Sequence, residues 1–150
     1  VVLRFLNIVT PDVLVVGRKD YQQMVLIARM IEDLQIDVEL VSGDTVRETD
    51  GLAMSSRNRY LTAKERDSAP ALRATLEALA EEVRKGGADF SEGRDAALET
   101  LTESGFRPDY LELRDAVDLS VAAPTDTERG RVLMAAAWLG RARLIDNVPV

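Results

Sequence analysis

The chain has 150 residues, with 26 acidic against 19 basic side chains, a formal charge of −7, no histidine and no cysteine. Those absences exclude imidazole base catalysis, Ser-His-Asp triads, thiolate nucleophiles, disulfides and His- or Cys-ligated metal sites built from this chain. The acidic balance argues against nucleic-acid or anionic-membrane binding, and no apolar run approaches the length of a bilayer span. A cysteine-free chain fits a reducing compartment, so a cytoplasmic protein is expected. The first residue, Val1, stands inside an apolar pattern, so the chain reads as part of a longer protein.

In chain order, residues 1–10 carry the apolar spacing of the tail of a buried helix, stopped by Pro11-Asp12. Val13-Leu14-Val15-Val16-Gly17 is short, β-branched and bounded by breakers. It reads as a fully buried strand of a parallel sheet. Apolar residues recurring at three and four over 19–35 predict an amphipathic helix, and Val38 to Val41 a second strand. Strand, glycine turn, helix and strand make a βαβ unit. Residues 42–61 lack clean periodicity and read as a hinge and binding loop.

Thr62 to Glu65 has the capping-box pattern that opens a helix. Pro70 sits inside that helix and predicts a kink or restart, and Gly86-Gly87 the end. A further helix is expected over about 91–104, capped by Ser91 and stopped by Gly105. Segments 109–114, 131–139 and 141–146 read as strands, with a tight turn at Leu139-Gly140. The expected fold class is therefore α/β: the end of a Rossmann-like parallel-sheet domain, then a small α+β lobe with an antiparallel sheet.

Two places gather basic and small polar residues beside glycine. The first is Gly17-Arg18-Lys19-Asp20-Tyr21-Gln22-Gln23, at the carboxyl end of a parallel strand and the start of a helix. Open α/β sheets bind ligands there, and helix amides favour anions. Lys19 suits a phosphate, Asp20 a ribose hydroxyl, and Gln23 a small polar substrate. The second is Met54-Ser55-Ser56-Arg57-Asn58-Arg59, where hydroxyls and guanidinium suit a triphosphate. On local pattern alone the plainer accounts are favoured: a strand–helix turn capped by Asp20, and a polar loop before a helix. Neither stretch is a Walker A loop or a GxGxxG turn.

Family resemblance changes that balance. Phe5-Leu6-Asn7-Ile8-Val9, Pro11-Asp12, Gly17-x-Lys19-Asp20-Tyr21-Gln22-Gln23, Thr45-Val46-Arg47-Glu48-x-Asp50-Gly51-Leu52-Ala53-Met54-Ser55-Ser56-Arg57-Asn58-Arg59-Tyr60-Leu61, Asp109-Tyr110-Leu111-Glu112-Leu113 and Leu144-Ile145-Asp146-Asn147 follow in that order. Together they closely resemble the pantoate–β-alanine ligase (pantothenate synthetase) family, from near residue 1 to near residue 147.

The resemblance implies that residues 1–45 are the C-terminal part of a Rossmann-like nucleotide-binding domain and residues 46–150 a C-terminal lid domain, in a protein that is a homodimer when intact. It implies ATP, pantoate and β-alanine as substrates. Pantoate attacks ATP to give pantoyl adenylate and pyrophosphate, and β-alanine then displaces AMP. Magnesium would be held mainly by ATP and by a histidine-bearing N-terminal half that this chain lacks. No metal-ligating residue is assigned here.

Carried over by residue, Gly17, Arg18, Lys19, Asp20, Val46, Met54, Ser55, Ser56 and Arg57 would bind ATP. Val46 does so through its backbone, toward adenine. Gln23 would bind pantoate. Lys19, Ser55, Ser56 and Arg57 would carry the catalytic charge neutralisation. Arg18 stands where the family usually has Glu, so local charge is inverted. The chain alone is expected to have little or no ligase activity, and a non-catalytic nucleotide-binding or subunit-interaction module is the alternative.

Overall fold

The computed structural model describes residues 1–86, 90–124 and 130–150. The chain divides into two units, Val1–Thr45 and Val46–Val150.

The first unit opens with helix α1 (Val2–Val9), closed by Thr10 in the left-handed conformation. Strand β1 (Val13–Gly17), helix α2 (Tyr21–Asp33) and strand β2 (Glu39–Gly43) complete it. The strands pair in parallel, from Val13 opposite Glu39 to Gly17 opposite Gly43. The βαβ reading holds, with β2 displaced by a residue or two toward Gly43.

The burial expectation does not hold. Leu6 alone is buried in α1, while Phe5, Ile8 and Val9 are exposed. β1 alternates between exposed and half-buried positions, with Val15 66% exposed. An apolar run records what a strand is suited to pack against. Among the described residues β1 pairs with β2 only, and neither of its faces is fully covered.

The second unit holds the main core. A 3-10 helix (Ser56–Tyr60) lies inside the stretch expected to be irregular. Five residues with i→i+3 bonding carry no apolar period, so nothing in the sequence announces it. Helix α3 (Ala63–Ser68) starts on the predicted capping box, with both Thr62 and Glu65 side chains bonded reciprocally to backbone. Pro70 produces the restart: it occupies the cap position of α4 (Ala71–Arg84). Gly86 follows in the left-handed region, while Gly87, also expected at that helix end, lies outside the described residues. Helix α5 (Phe90–Glu103) contains Ser91 rather than starting after it, which corrects the expected cap. It stops before Gly105, whose φ is +90°.

Strands β3 (Arg107–Asp115), β4 (Arg131–Leu139) and β5 (Ala142–Pro149) form an antiparallel sheet in that order. The β4–β5 turn is Gly140-Arg141, one residue later than expected, with Gly140 at φ +55°. One sheet face, with Leu111, Leu113, Leu133, Ala135, Ala137 and Leu144, packs on Leu72, Leu76 and Leu79 of α4 and Leu101 of α5. Burying large aliphatic side chains there contributes roughly 1.5–3 kcal/mol each. This core is the platform for the loop preceding α3. Among the described residues no helix is long and apolar enough to cross a membrane.

Candidate functional site

The first candidate segment lies where β1 hands over to α2. Backbone pairing runs one residue past β1, because the Arg18 N–H donates to the Gly43 carbonyl at 2.8 Å. Asp20 occupies the N-cap position of α2 but its side chain makes no cap hydrogen bond. That removes the plainer account of Asp20 and leaves its carboxylate exposed. The first helical bond is Met24 N–H to the Asp20 carbonyl at 3.0 Å. The first turn of α2 therefore lies at the carboxyl end of β1, with the positive pole of the helix dipole.

Gly17 is not at positive φ, and a Cβ built on it would meet nothing within 4 Å. Among the described residues nothing demands glycine at this position. Lys19 is half-buried and Gln23 exposed, three residues beyond Asp20 on α2. Arg18 points elsewhere: its guanidinium pairs with Asp44 at 3.2 Å and donates to Ser42 Oγ at 3.2 Å. Its charge is thus partly spent at the end of β2.

The second candidate segment is built as a tied loop. The Met54 N–H donates to the Val46 carbonyl at 2.9 Å, and the Glu48 N–H to the Leu52 carbonyl at 2.8 Å, so Arg47 faces Ala53 across a short antiparallel bridge. Gly51, at φ +89°, makes the turn. Two ion pairs hold this hairpin. Asp50 accepts from Arg66 of α3 at 2.5 Å and from the Leu52 N–H at 3.2 Å, and the Arg66 bond holds its carboxyl below the usual range. Arg47 forks onto Asp146 of β5 at 2.6 and 2.9 Å and also donates to the Gly51 carbonyl at 3.0 Å. The hydrogen bond to Asp146 raises the Arg47 pKa further above its ordinary value.

Met54 to Arg57 emerges from that hairpin. Ser55 caps the 3-10 helix, its Oγ accepting from the Arg57 N–H at 3.2 Å. The Asn58 amide nitrogen donates to the Ala53 carbonyl at 3.2 Å, closing the segment from its other side. Met54, Ser56 and Arg57 are exposed and Ser55 half-buried. Two hydroxyls and a guanidinium thus stand on a backbone fixed at both ends, which suits charge-assisted bonds to a phosphate. Val46 is exposed, and its carbonyl already accepts one bond.

The structure thus brings Gly17, Arg18, Lys19, Asp20 and Gln23 together in the first unit. It brings Val46, Met54, Ser55, Ser56 and Arg57 together in the second. Sequence reasoning missed the Arg47–Asp146 pair. Both residues stand inside quoted motif blocks, but they are 99 positions apart and no local pattern joins them.

The family model for pantoate-beta-alanine ligase matches residues 1–149. The chain belongs to the pantoate–β-alanine ligase family. It is 55% identical over 150 residues to the pantothenate synthetase of Alkalilimnicola ehrlichii, covering 99% of this chain and 51% of that protein. It is 53% identical to that of Shewanella amazonensis, covering 99% and 52%. The chain spans about half the length of the curated relatives it matches.

Among solved structures, pantothenate synthetase from Thermus thermophilus superposes with a TM-score of 0.88 at 40% identity, covering 98% of this chain and 52% of that one. The Francisella tularensis pantoate-beta-alanine ligase, solved with beta-gamma ATP and β-alanine, superposes with a TM-score of 0.65 at 27% identity, covering 98% and 47%. These matches bear out the α/β fold expected from sequence. Both candidate segments lie within the part of the chain that the ligase family model covers.

Proposed function

We propose that this chain serves ATP-dependent condensation of pantoate with β-alanine, through a pantoyl adenylate. The observation that carries the reading is Ser55, Ser56 and Arg57 presented on a backbone pinned at both ends, in a member of the ligase family. The Francisella relative, complexed with beta-gamma ATP and β-alanine, supports ATP as the nucleotide.

In this reading residues 1–45 act as part of a Rossmann-like nucleotide-binding domain and residues 46–150 as a lid. Gly17 and Asp20 meet the ribose, Lys19 the phosphates, and the Val46 backbone the adenine. Met54, Ser55, Ser56 and Arg57 hold the triphosphate, and Gln23 holds pantoate. Arg18 contributes its backbone, since its side chain is paired with Asp44.

The pantoate carboxylate oxygen attacks the α-phosphorus, and the bond to the bridging oxygen breaks, releasing pyrophosphate. The β-alanine amine then attacks the acyl carbon of the adenylate, loses a proton and expels AMP. Lys19 and Arg57 neutralise the charge that grows on the departing pyrophosphate, while Ser55 and Ser56 donate to phosphate oxygens. Among the described residues no group of three or more acidic, His or Cys side chains gathers to hold a metal ion. In this reading magnesium would be held mainly by ATP and would help neutralise charge on its phosphates. In this reading the intact protein works in the cytoplasm as a homodimer.

The test is pantoate-dependent ATP–pyrophosphate exchange. The 150 residues are joined to the part of the Alkalilimnicola ehrlichii enzyme that they do not match, and compared with the same chimera carrying Arg57→Ala. Exchange that needs pantoate and collapses in the variant supports the reading. Exchange indifferent to Arg57 rejects the assigned role.

A further inference from the structure

We infer that Arg47 is a positioning residue: clamped on Asp146, it fixes the direction in which Met54, Ser55, Ser56 and Arg57 leave the hairpin. This rests on the reading of those four residues as a phosphate-binding segment.

Asp146 lies on the core-facing side of β5 and is 4% exposed. Its two oxygens are taken up by the two terminal nitrogens of Arg47, and Oδ1 also accepts the Asn147 N–H at 2.8 Å. The carboxylate is therefore locked by the strand that carries it. The same Arg47 nitrogen that meets Oδ2 donates to the Gly51 carbonyl at the hairpin turn. Arg47 in turn stands opposite Ala53, the residue before Met54, and the Ala53 carbonyl receives the Asn58 side chain. A continuous path of bonds thus runs from β5 through Arg47 and the hairpin to both ends of the 55–57 turn.

Stability alone is a poor account of this pair. Taking a carboxylate out of water is costly, and a well-packed apolar pair of similar volume is often as stable or more so. What an apolar pair lacks is direction. The planar guanidinium fork accepts one orientation of the carboxylate, whereas an ammonium group tolerates many. A hairpin held by a fork keeps its heading; one held by grease or by a point charge rocks about its turn.

The full 150-residue chain tests this with two variants, Arg47→Lys and the paired Arg47→Met/Asp146→Leu. The first keeps the charge and loses the fork. The second removes both charges together, so no buried ion is stranded. Hydrogen exchange is read at the Glu48 and Met54 amides, which close the hairpin, and at β4 amides as the fold control. Mg-ATP affinity is read by calorimetry.

The expected result is about tenfold or greater acceleration at Glu48 and Met54 in both variants, with β4 amides changed by less than about threefold. ATP affinity falls about tenfold or more in parallel. Hairpin amides that exchange as in the parent overturn the inference while leaving the phosphate reading intact. Loss of β4 protection in both variants also overturns it, because the pair would then be a general fold element. Loosened hairpin amides with ATP affinity unchanged overturn the positioning role; the phosphate reading is decided separately by the Arg57→Ala exchange test.

Discussion

Replacing Gly17 by alanine separates what the fold requires from what a ligand requires. The backbone there is not left-handed, and a methyl group would touch nothing within 4 Å. On folding grounds the change is neutral or favourable: a Gly→Ala replacement without strain stabilises by about 0.4–1 kcal/mol, chiefly by lowering the entropy of the unfolded chain. The contrast is Gly51, at φ +89°, where any side chain is strained and the same replacement should cost about 1–2 kcal/mol. If a nucleotide ribose packs on the Gly17 backbone, the added methyl occupies its space. A loss of about 1.4 kcal/mol in binding is a tenfold weaker Kd. The assay pairs urea unfolding with Mg-ATP calorimetry on the same preparations. Gly17→Ala should leave the unfolding midpoint unchanged or raised and weaken ATP about tenfold, while Gly51→Ala lowers the midpoint. A Gly17→Ala variant that binds ATP like the parent refutes the close approach.

Other outcomes follow from the same geometry. In an active chimera, Lys19→Ala and Arg57→Ala should each slow single-turnover adenylation by roughly 10²–10³-fold, by analogy with lost transition-state donors; a loss below about threefold contradicts their roles. Gln23→Ala should raise the pantoate KM more than it lowers kcat, and an unchanged KM removes Gln23 from the pantoate site. Gly140→Ala should lower the thermal midpoint, since φ there is +55° and a Cβ would overlap the Glu65 carboxylate of the α3 capping box. In a Glu65→Ala background that penalty should shrink; equal penalties in both backgrounds would deny the overlap.

The Asp50–Arg66 pair gives a pH dependence. The folded Asp50 carboxyl is held below its ordinary value of 3.8, chiefly by Arg66. Its contribution is therefore full above the ordinary aspartate range and is lost as pH falls through the lower, folded value. The gap in urea midpoint between the parent and Asp50→Asn should narrow from neutral pH toward pH 3. A gap that widens on acidification contradicts the pairing.

The elements with a strong apolar pattern were legible: α2 from its three-and-four spacing, β1 from a short apolar run bounded by breakers, and β4 from a longer apolar run. The α3 cap and the Pro70 restart were legible because each is a local contest for backbone hydrogen bonds. The 3-10 helix was not, because its turn is set by Ser55 and Asn58 bonding to backbone rather than by any repeat. The exposure of α1 and β1 is not legible in the sequence, because hydrophobicity reports suitability for burial and not the presence of a cover. The residue types of the candidate site were readable in two blocks. The device that steadies the second block was not, since Arg47 finds Asp146 only when β5 has joined the sheet.

The central claim is that the Met54–Arg57 segment handles the triphosphate of ATP in a pantoate-activating ligase. Pantoate-dependent exchange of pyrophosphate into ATP by the chimera measures this most directly. The predicted result is exchange that requires pantoate and falls by about two orders of magnitude or more on Arg57→Ala. Exchange without pantoate, or exchange untouched by that substitution, would contradict it.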